Sequence, residues 1–263
     1  MNDNKKKYLY TIVGIAVLIT IWETVSLILN EPLLFPSPFL AINEFISLLS
    51  DPALPTALLT TGLRALVGFL IAFLLGGALG ILGYRYPCFK HGFAPFITVL
   101  RSVPTMSIIL VVVIWFSPSV GPAIIGFLII FPTIYQSFLS ALDGVDKNLI
   151  EMSKVYQISN KDKFFGLYLP SIRKNVLSSA RSQISLNVKV VIAGEVLAYT
   201  AKSIGMQMYI TKIDIATGLL FGWTIYAVIL SFLFESAVIL IDYFTDPKTI
   251  RNKKRKKYSN KIN

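Results

Sequence analysis

A chain of 263 residues with 54% hydrophobic and only 15% charged residues has too little polar surface to coat one soluble globule, so much of it must face lipid. A net charge of +11 would suggest nucleic acid in a soluble protein, but in a membrane protein the placement of the 25 basic residues carries the meaning. The single cysteine, Cys88, excludes an intramolecular disulfide, and no Cys and His cluster has metal-ligand spacing, so stability must come from helix packing.

At the N-terminus, Lys5-Lys6-Lys7 precedes the apolar run Tyr8 to Leu29. That run is too long for a signal-peptide core and lacks a small-residue cleavage site, which predicts a retained first span. Hydrocarbon about 30 Å thick needs roughly 20 apolar residues of helix, because unpaired backbone groups are costly in lipid. Six segments meet that requirement, near 8–29, 55–83, 92–116, 119–141, 173–198 and 218–242. The predicted fold class is all-α: a polytopic membrane protein of about six transmembrane helices, with one transmembrane domain over 1–247 and a basic tail over 248–263.

Between the first two spans, 30–54 contains Glu31, Glu44 and Asp51 but no Lys or Arg, and Pro32, Pro36 and Pro38 favour extended backbone. It is expected to be an external loop with a short surface helix. His91 and Cys88 share a short loop after the second span, but no third group or nucleophile motif accompanies them. Trp115 and Trp223 suit anchoring at the membrane interface. The tail run Arg251-Asn252-Lys253-Lys254-Arg255-Lys256-Lys257 suits solvent and anionic headgroups better than nucleic acid. With both termini cytoplasmic, only Lys202 and Lys212 of the 25 basic residues lie outside, Arg64, Arg101, Arg181 and Lys189 lie within spans, and the rest lie inside.

The longest inner loop, 142–172, is too polar to span and too patterned to be a linker. Leu149, Met152, Ser153 and Tyr156 share one helical face, which Ile150, Val155 and Ile158 widen, giving a short amphipathic helix after Asp146. Ser159, with Asp162 three residues on, caps a second short helix containing Phe164, Phe165 and Leu167, which Pro170 is expected to end. Two readings of the apolar faces stand on pattern alone: a partner protein's groove covers them, or they lie against the membrane surface and the inner ends of the spans.

These residues resemble the permease subunits of bacterial binding-protein-dependent ABC importers, in the branch that includes sulfonate, taurine, nitrate and thiamine-precursor transporters. The family signature places Glu-Ala-Ala ahead of Gly and then Ile-x-Leu-Pro. Here Glu151-Met152-Ser153, Gln157 and Leu167-Tyr168-Leu169-Pro170 stand at the same intervals. Phe35-Pro36-Ser37-Pro38, Leu63-Arg64-Ala65-Leu66-Val67-Gly68-Phe69, Leu100-Arg101-Ser102-Val103-Pro104, and Gly194-Glu195-Val196-Leu197 with Ile204-Gly205 extend the likeness through most of the chain. Met152 and Ser153 replace the family's alanines, and Gln157 replaces a glycine that would permit positive φ, so Gln157 is expected to bend the chain differently.

The resemblance implies a type I ABC importer permease fold in a bacterial inner membrane. It also implies a cytoplasmic ATP-binding subunit, an extracytoplasmic solute-binding protein and a second permease copy as partners. ATP and Mg belong to the ATPase, since this chain has no Gly-x-x-x-x-Gly-Lys-Ser/Thr loop, and no cofactor is expected here. By that likeness Leu149, Met152, Ser153 and Tyr156 form the ATPase-coupling face, Glu151 anchors the loop, Gln157 bends it, and Leu167, Leu169 and Pro170 tie it to the fifth span.

Among charges at bilayer depth, Glu23, Arg64, Arg181 and Glu235 suit structural pairing. Arg101 and Ser102 before the helix-bending Pro104, and Lys189 with Glu195, are the translocation-pathway candidates, where cations would assist an anionic solute. Gly76, Gly77, Ala78, Gly80 and Gly83 suit close contact, either between two copies or within one subunit. A gradient-driven secondary transporter or channel is the alternative that spans and buried charges alone permit. An intramembrane enzyme lacks a Gly-x-Ser-x-Gly or His-Glu-x-x-His motif.

Overall fold

The computed structural model describes residues 3–245, with side chains from Tyr8 onward. The basic tail 248–263 and the side chains of Lys5 to Lys7 lie outside the described residues. Among the described residues there is no strand, and eleven α-helices follow one another. They are α1 (Asp3–Leu29), α2 (Pro38–Ser47), α3 (Ala53–Arg85), α4 (Pro87–Ser102), α5 (Thr105–Trp115), α6 (Gly121–Asp143), α7 (Lys147–Val155), α8 (Asn160–Lys163), α9 (Leu169–Leu197), α10 (Ile204–Ile213) and α11 (Thr217–Thr245).

Four of these helices, α1, α3, α6 and α11, are long and apolar enough to cross a bilayer. The expected third span, 92–116, is not one straight helix: α4 and α5 meet at Ser102-Val103-Pro104 with a bend of 94°, and only the pair together meets the requirement. Proline removes a backbone donor and disfavours helical geometry in the residue before it, which explains the break at Val103-Pro104. The segment expected at 173–198 lies in α9, whose 29 residues exceed the roughly 20 needed to cross. Its Ser, Arg, Gln, Asn and Lys residues make it too polar to qualify on composition. α3, α5, α6, α10 and α11 pack around it, and Arg173, Arg181, Ser185, Asn187 and Glu195 find hydrogen-bond partners on those neighbours, while Lys189 stays exposed.

The most extensive contact is α3 against α6, and glycine permits it. A Cβ at Gly68 would lie 2.6 Å from the Ala123 carbonyl oxygen, and one at Gly80 would lie 2.8 Å from Phe138 Cβ. Gly76, Gly77 and Gly83 meet Ile134, Phe138 and Tyr135 of the same helix, so this small-residue stripe packs within one subunit, while Ala78 is exposed. No described glycine adopts positive φ. Close packing uses the glycines, and the left-handed backbone positions fall to Asn30, Gln157, Tyr199, Lys202 and Ile215.

The segment 30–54 does contain a helix, α2, capped by Ser37, which accepts a hydrogen bond from the Leu40 amide at 3.2 Å. It packs on α11, where Tyr226 donates to the Phe45 carbonyl at 3.0 Å and the two rings sit 4.6 Å apart. Trp223, expected at the membrane interface, is instead 1% exposed in the apolar cluster of Leu48, Leu54 and Ile204. Once α2 folds over α11, that indole lies inside, whereas Trp115 remains exposed. By connectivity α2 and α10 lie at one end of the bundle, and the α7–α8 loop lies at the other.

Candidate coupling loop and the charges in the spans

The loop between α6 and α9 is held by local hydrogen bonds. Asp146 caps α7 by accepting from the Asn148 amide at 2.8 Å. At the far end of α7, the Gln157 amide donates to Lys154 O at 3.0 Å and the Ile158 amide donates to Ser153 O at 3.1 Å. These two bonds define a Schellman cap, whose left-handed position is normally glycine. Gln157 occupies it at φ 50°, so the residue expected to bend the chain differently adopts the conformation that glycine would permit. The cap's two backbone bonds offset the Cβ crowding that makes this region unfavourable for other residues.

The expected second helix also starts as its residues dictate. Ser159 caps it by accepting from the Asp162 amide at 3.1 Å, and its hydroxyl donates to the Asp162 carboxylate at 2.7 Å, so the two residues meet side chain to side chain and the box is not closed on the Ser159 amide. Pro170 does not end this helix. The chain runs from α8 through a π-helical turn, Phe164–Tyr168, directly into α9, with Pro170 in its first turn. There the missing amide proton breaks little, because the preceding π turn already lacks the regular bonding pattern.

Both readings of the loop's apolar faces find a place. Ile150, Leu167 and Tyr168 pack on Ala141, Leu142, Val145, Ile172 and Val176, which pins the loop to the ends of α6 and α9. Ser153, expected on the contact face, turns inward: it is 3% exposed and donates to Ile150 O at 2.6 Å. Leu149, Met152, Val155, Tyr156 and Phe165 remain exposed, Val155 at 78%. Glu151 is exposed and makes no ion pair among the described residues, and Leu169 and Pro170 belong to the helix itself. Leu149, Met152, Ser153, Leu167 and Pro170 line one side or the other of a groove of about 600 Å³ between α7 and the start of α9.

The charges in the spans divide into paired and unpaired groups. Glu195 is completely buried; its carboxylate meets the Arg64 guanidinium at 2.9 Å and accepts from the Thr61 hydroxyl at 2.9 Å and the Gly205 amide at 3.2 Å. Thr61 Oγ1 in turn accepts from the Ile204 amide at 3.0 Å. One carboxylate therefore clasps α3, α9 and the start of α10, and both of its oxygens are hydrogen-bonded. Gly205 is required there, because a Cβ would fall 2.4 Å from Glu195 Cβ and 2.7 Å from the Val196 nitrogen.

Glu195 is thus brought to Arg64, and Lys189 is exposed on α9 with no ion pair among the described residues. Arg181 pairs with Glu235, which also accepts from Ser185 at 3.2 Å, and Arg173 pairs with Asp242. Arg101 and Ser102 are exposed at the end of α4, with Pro104 just beyond in the break. Sequence reasoning missed Thr61, Asn187 and Tyr135. Asn187 is fully buried and donates to the Ala65 carbonyl across the α3–α9 contact, and Tyr135 buries a hydroxyl without a partner. A polar residue in an apolar run was the available signal for Asn187; for Tyr135 and Thr61 there was none.

The comparisons with known proteins match this geometry. The family described as "Binding-protein-dependent transport system inner membrane component" matches residues 68–251, from the glycine-bearing half of α3 through the loop and the Glu195 and Gly205 side of the clasp to beyond α11. The taurine transport system permease protein of Escherichia coli (strain K12) is 24% identical over 228 residues, covering 84% of this chain and 82% of that protein. The nitrate import permease protein of Synechococcus elongatus is 24% identical over 213 residues, or 74% of each chain. A chain of the MetNI methionine ABC transporter, solved in inward facing conformations, shares the fold with a TM-score of 0.62 at 17% identity, covering 73% of this chain and 97% of that one. A bent helix pair, a pinned loop bearing the family signature and a match over most of its length make this chain a member of the inner membrane component family of binding-protein-dependent transport systems, with the fold of an ABC importer permease.

Proposed function

We propose that the chain carries a small solute, handed over by an extracytoplasmic binding protein, into a bacterial cell, and that a separate ATPase drives it by docking on the α7–α8 loop. The observation that carries this reading is the loop itself. It is capped at both ends of α7 and pinned beneath α6 and α9, yet it leaves Met152, Val155, Tyr156 and Phe165 in solvent. A rigid apolar ridge of this kind is stable in water only at a cost that a partner groove removes. Because the π turn joins the loop to α9 without a flexible link, a displacement of the ridge is transmitted to the central helix and its clasp.

The basic residues at the loop end, against Lys202 and Lys212 alone at the other, support a cytoplasmic loop with both termini on the same side. α1 supports a second permease copy, because none of its apolar span is buried within the subunit. Lipid satisfies much of that surface, and a neighbouring copy completes the pathway at the exposed α5 and α9 faces. The relatives' names, taurine and nitrate among them, support a small polar solute.

The test is to purify the chain with the products of its neighbouring genes and measure the ATPase retained by the wild type and by Glu151→Arg. Retention by the wild type and loss in a mutant of unchanged thermal stability is the expected result. Wild-type chain that binds no ATPase, and that alone moves solute into liposomes along an ion gradient, would replace this reading with a secondary transporter.

A further inference from the structure

Where the π turn runs into α9, the fold leaves an apolar cleft that is open on one side. It holds about 440 Å³, the size of a small-molecule site. Phe73 of α3, Phe138 of α6, and Ile172 and Val176 of α9 form its inner wall, where they pack on one another. Phe165, Leu169 and Ile241 stand at its open side, and all three are exposed. Phe73 lies about 18 Å along α3 from Arg85, and Leu177, another lining residue, lies about 12 Å along α9 from Leu169. Half of hydrocarbon about 30 Å thick is about 15 Å, so the cleft runs through one leaflet, from the membrane surface toward the midplane.

The surroundings select the occupant. Apolar walls hold water poorly, and a cleft of this kind that opens to hydrocarbon takes in an apolar molecule. An ATPase approaching the loop from water reaches the mouth, but the walls lie at hydrocarbon depth. The mouth is framed by Thr245 and by Arg173, which pairs with Asp242. Lys248 follows Thr245 by three residues, a reach of at most about 11 Å. From Lys248 to Asn263 the sequence holds eight Lys and Arg and no Asp or Glu. Its Ile250, Tyr258 and Ile262 are too scattered to fill the cleft themselves, whereas a cationic run tethered at the mouth suits an anionic headgroup.

We propose that the cleft holds an acyl chain of an anionic phospholipid, whose headgroup the basic tail binds at the mouth. Phe165 belongs both to this cleft and to the exposed ridge of the coupling loop, so the lipid braces the loop against α9 and α11. The leaflet is the cytoplasmic one, and that assignment rests on the placement of the loop in the reading above.

The test uses the full chain with its co-purified ATPase, washed in detergent, with phosphatidylglycerol or phosphatidylcholine added back and bound lipids counted by native mass spectrometry. Wild type should bind one phosphatidylglycerol about tenfold or more tightly than phosphatidylcholine. Ile241→Trp fills the cleft from its open side and should weaken phosphatidylglycerol about tenfold. Leu240→Trp, on the same helix and exposed but outside the lining, should leave it unchanged. Both replace exposed side chains, so an unchanged unfolding temperature is expected and is measured alongside. Lys253→Gln, Lys254→Gln, Arg255→Gln, Lys256→Gln and Lys257→Gln together should erase the preference for phosphatidylglycerol and leave phosphatidylcholine affinity as it was.

Equal phosphatidylglycerol affinity in wild type and Ile241→Trp, or equal wild-type affinity for the two lipids, overturns the proposal. So does loss of the ATPase in place of the lipid in Ile241→Trp, which would assign the cleft to the ATPase. Wild type that binds the lipid but retains no ATPase would remove the transport reading and leave the site. Wild type that retains the ATPase and binds no lipid would remove only the site.

Discussion

The two ends of the bundle handle the same backbone problem in opposite surroundings. At the loop end, α7 closes on a left-handed Gln157; at the other end, α9 closes on a left-handed Tyr199, with the Thr200 amide donating to Glu195 O at 3.0 Å. Both helices end on a left-handed residue other than glycine, held by a bond from the next amide back to the last turn. Around Tyr199 the structure is self-sufficient, since Glu195, Arg64, Thr61 and Gly205 satisfy one another within a single subunit. Around Gln157 the backbone is equally well bonded, but the side chains above it face solvent with nothing apolar to meet. One end is finished within the monomer, and in the function proposed above the other is finished by a partner. Substitutions at the clasp should therefore be read in stability, and those at the loop in association.

The largest effect is expected at the clasp. Glu195→Ala leaves a largely buried guanidinium without its counter-charge and should cost about 3–5 kcal/mol, seen as a lowered unfolding temperature or lost yield in detergent. Replacing both Arg64 and Glu195 by leucine should restore most of that loss; if the double mutant is no better than the single, the carboxylate's role is not charge pairing.

Next in size is Gly205→Ala, where the new Cβ meets backbone and should cost about 1–3 kcal/mol, measured by the same melt. Gly92→Ala, with open space around it, should cost far less and serves as the comparison.

At the loop, Met152→Glu combined with Val155→Lys should change stability by no more than about 0.5 kcal/mol, because both side chains are exposed. The same change should abolish ATPase retention. A large fall in stability would show that this ridge is part of the subunit's own core.

A change confined to the Gln157 cap tests backbone strain alone, with no effect on association. Gln157→Gly should raise stability by about 1 kcal/mol by relieving the left-handed non-glycine residue, without loss of ATPase binding. If it lowers stability, the glutamine side chain makes a contribution that its backbone geometry does not reveal.

The comparison also marks what was legible beforehand. The apolar runs of α1, α3, α6 and α11 were readable because length and hydropathy are local properties of the chain. So were the capping residues Asp146 and Ser159, whose oxygens reach amides only two or three residues away. The 94° bend was signalled by Pro104, although its size was not. Gln157 was misjudged because residue identity suggests which φ is comfortable, while the hydrogen bonds of the cap decide which φ is adopted. Ser153 and Trp223 were misplaced for a common reason: amphipathic patterning defines a face but not the neighbour that covers it.

The sequence by itself determined that this is a helical membrane protein, where most of its spans lie, and that a patterned loop with the family's signature spacing lies between α6 and α9. Those properties depend on composition, period and short-range capping, which act within a few turns of chain. Tertiary structure alone decided that Glu195 finds Arg64 across 131 positions, that the α3 glycines meet α6 of the same subunit, and that Asn187 reaches the Ala65 carbonyl across the α3–α9 contact. Pairing of charges at bilayer depth depends on which helices become neighbours, and that choice is made by the packing of the whole bundle.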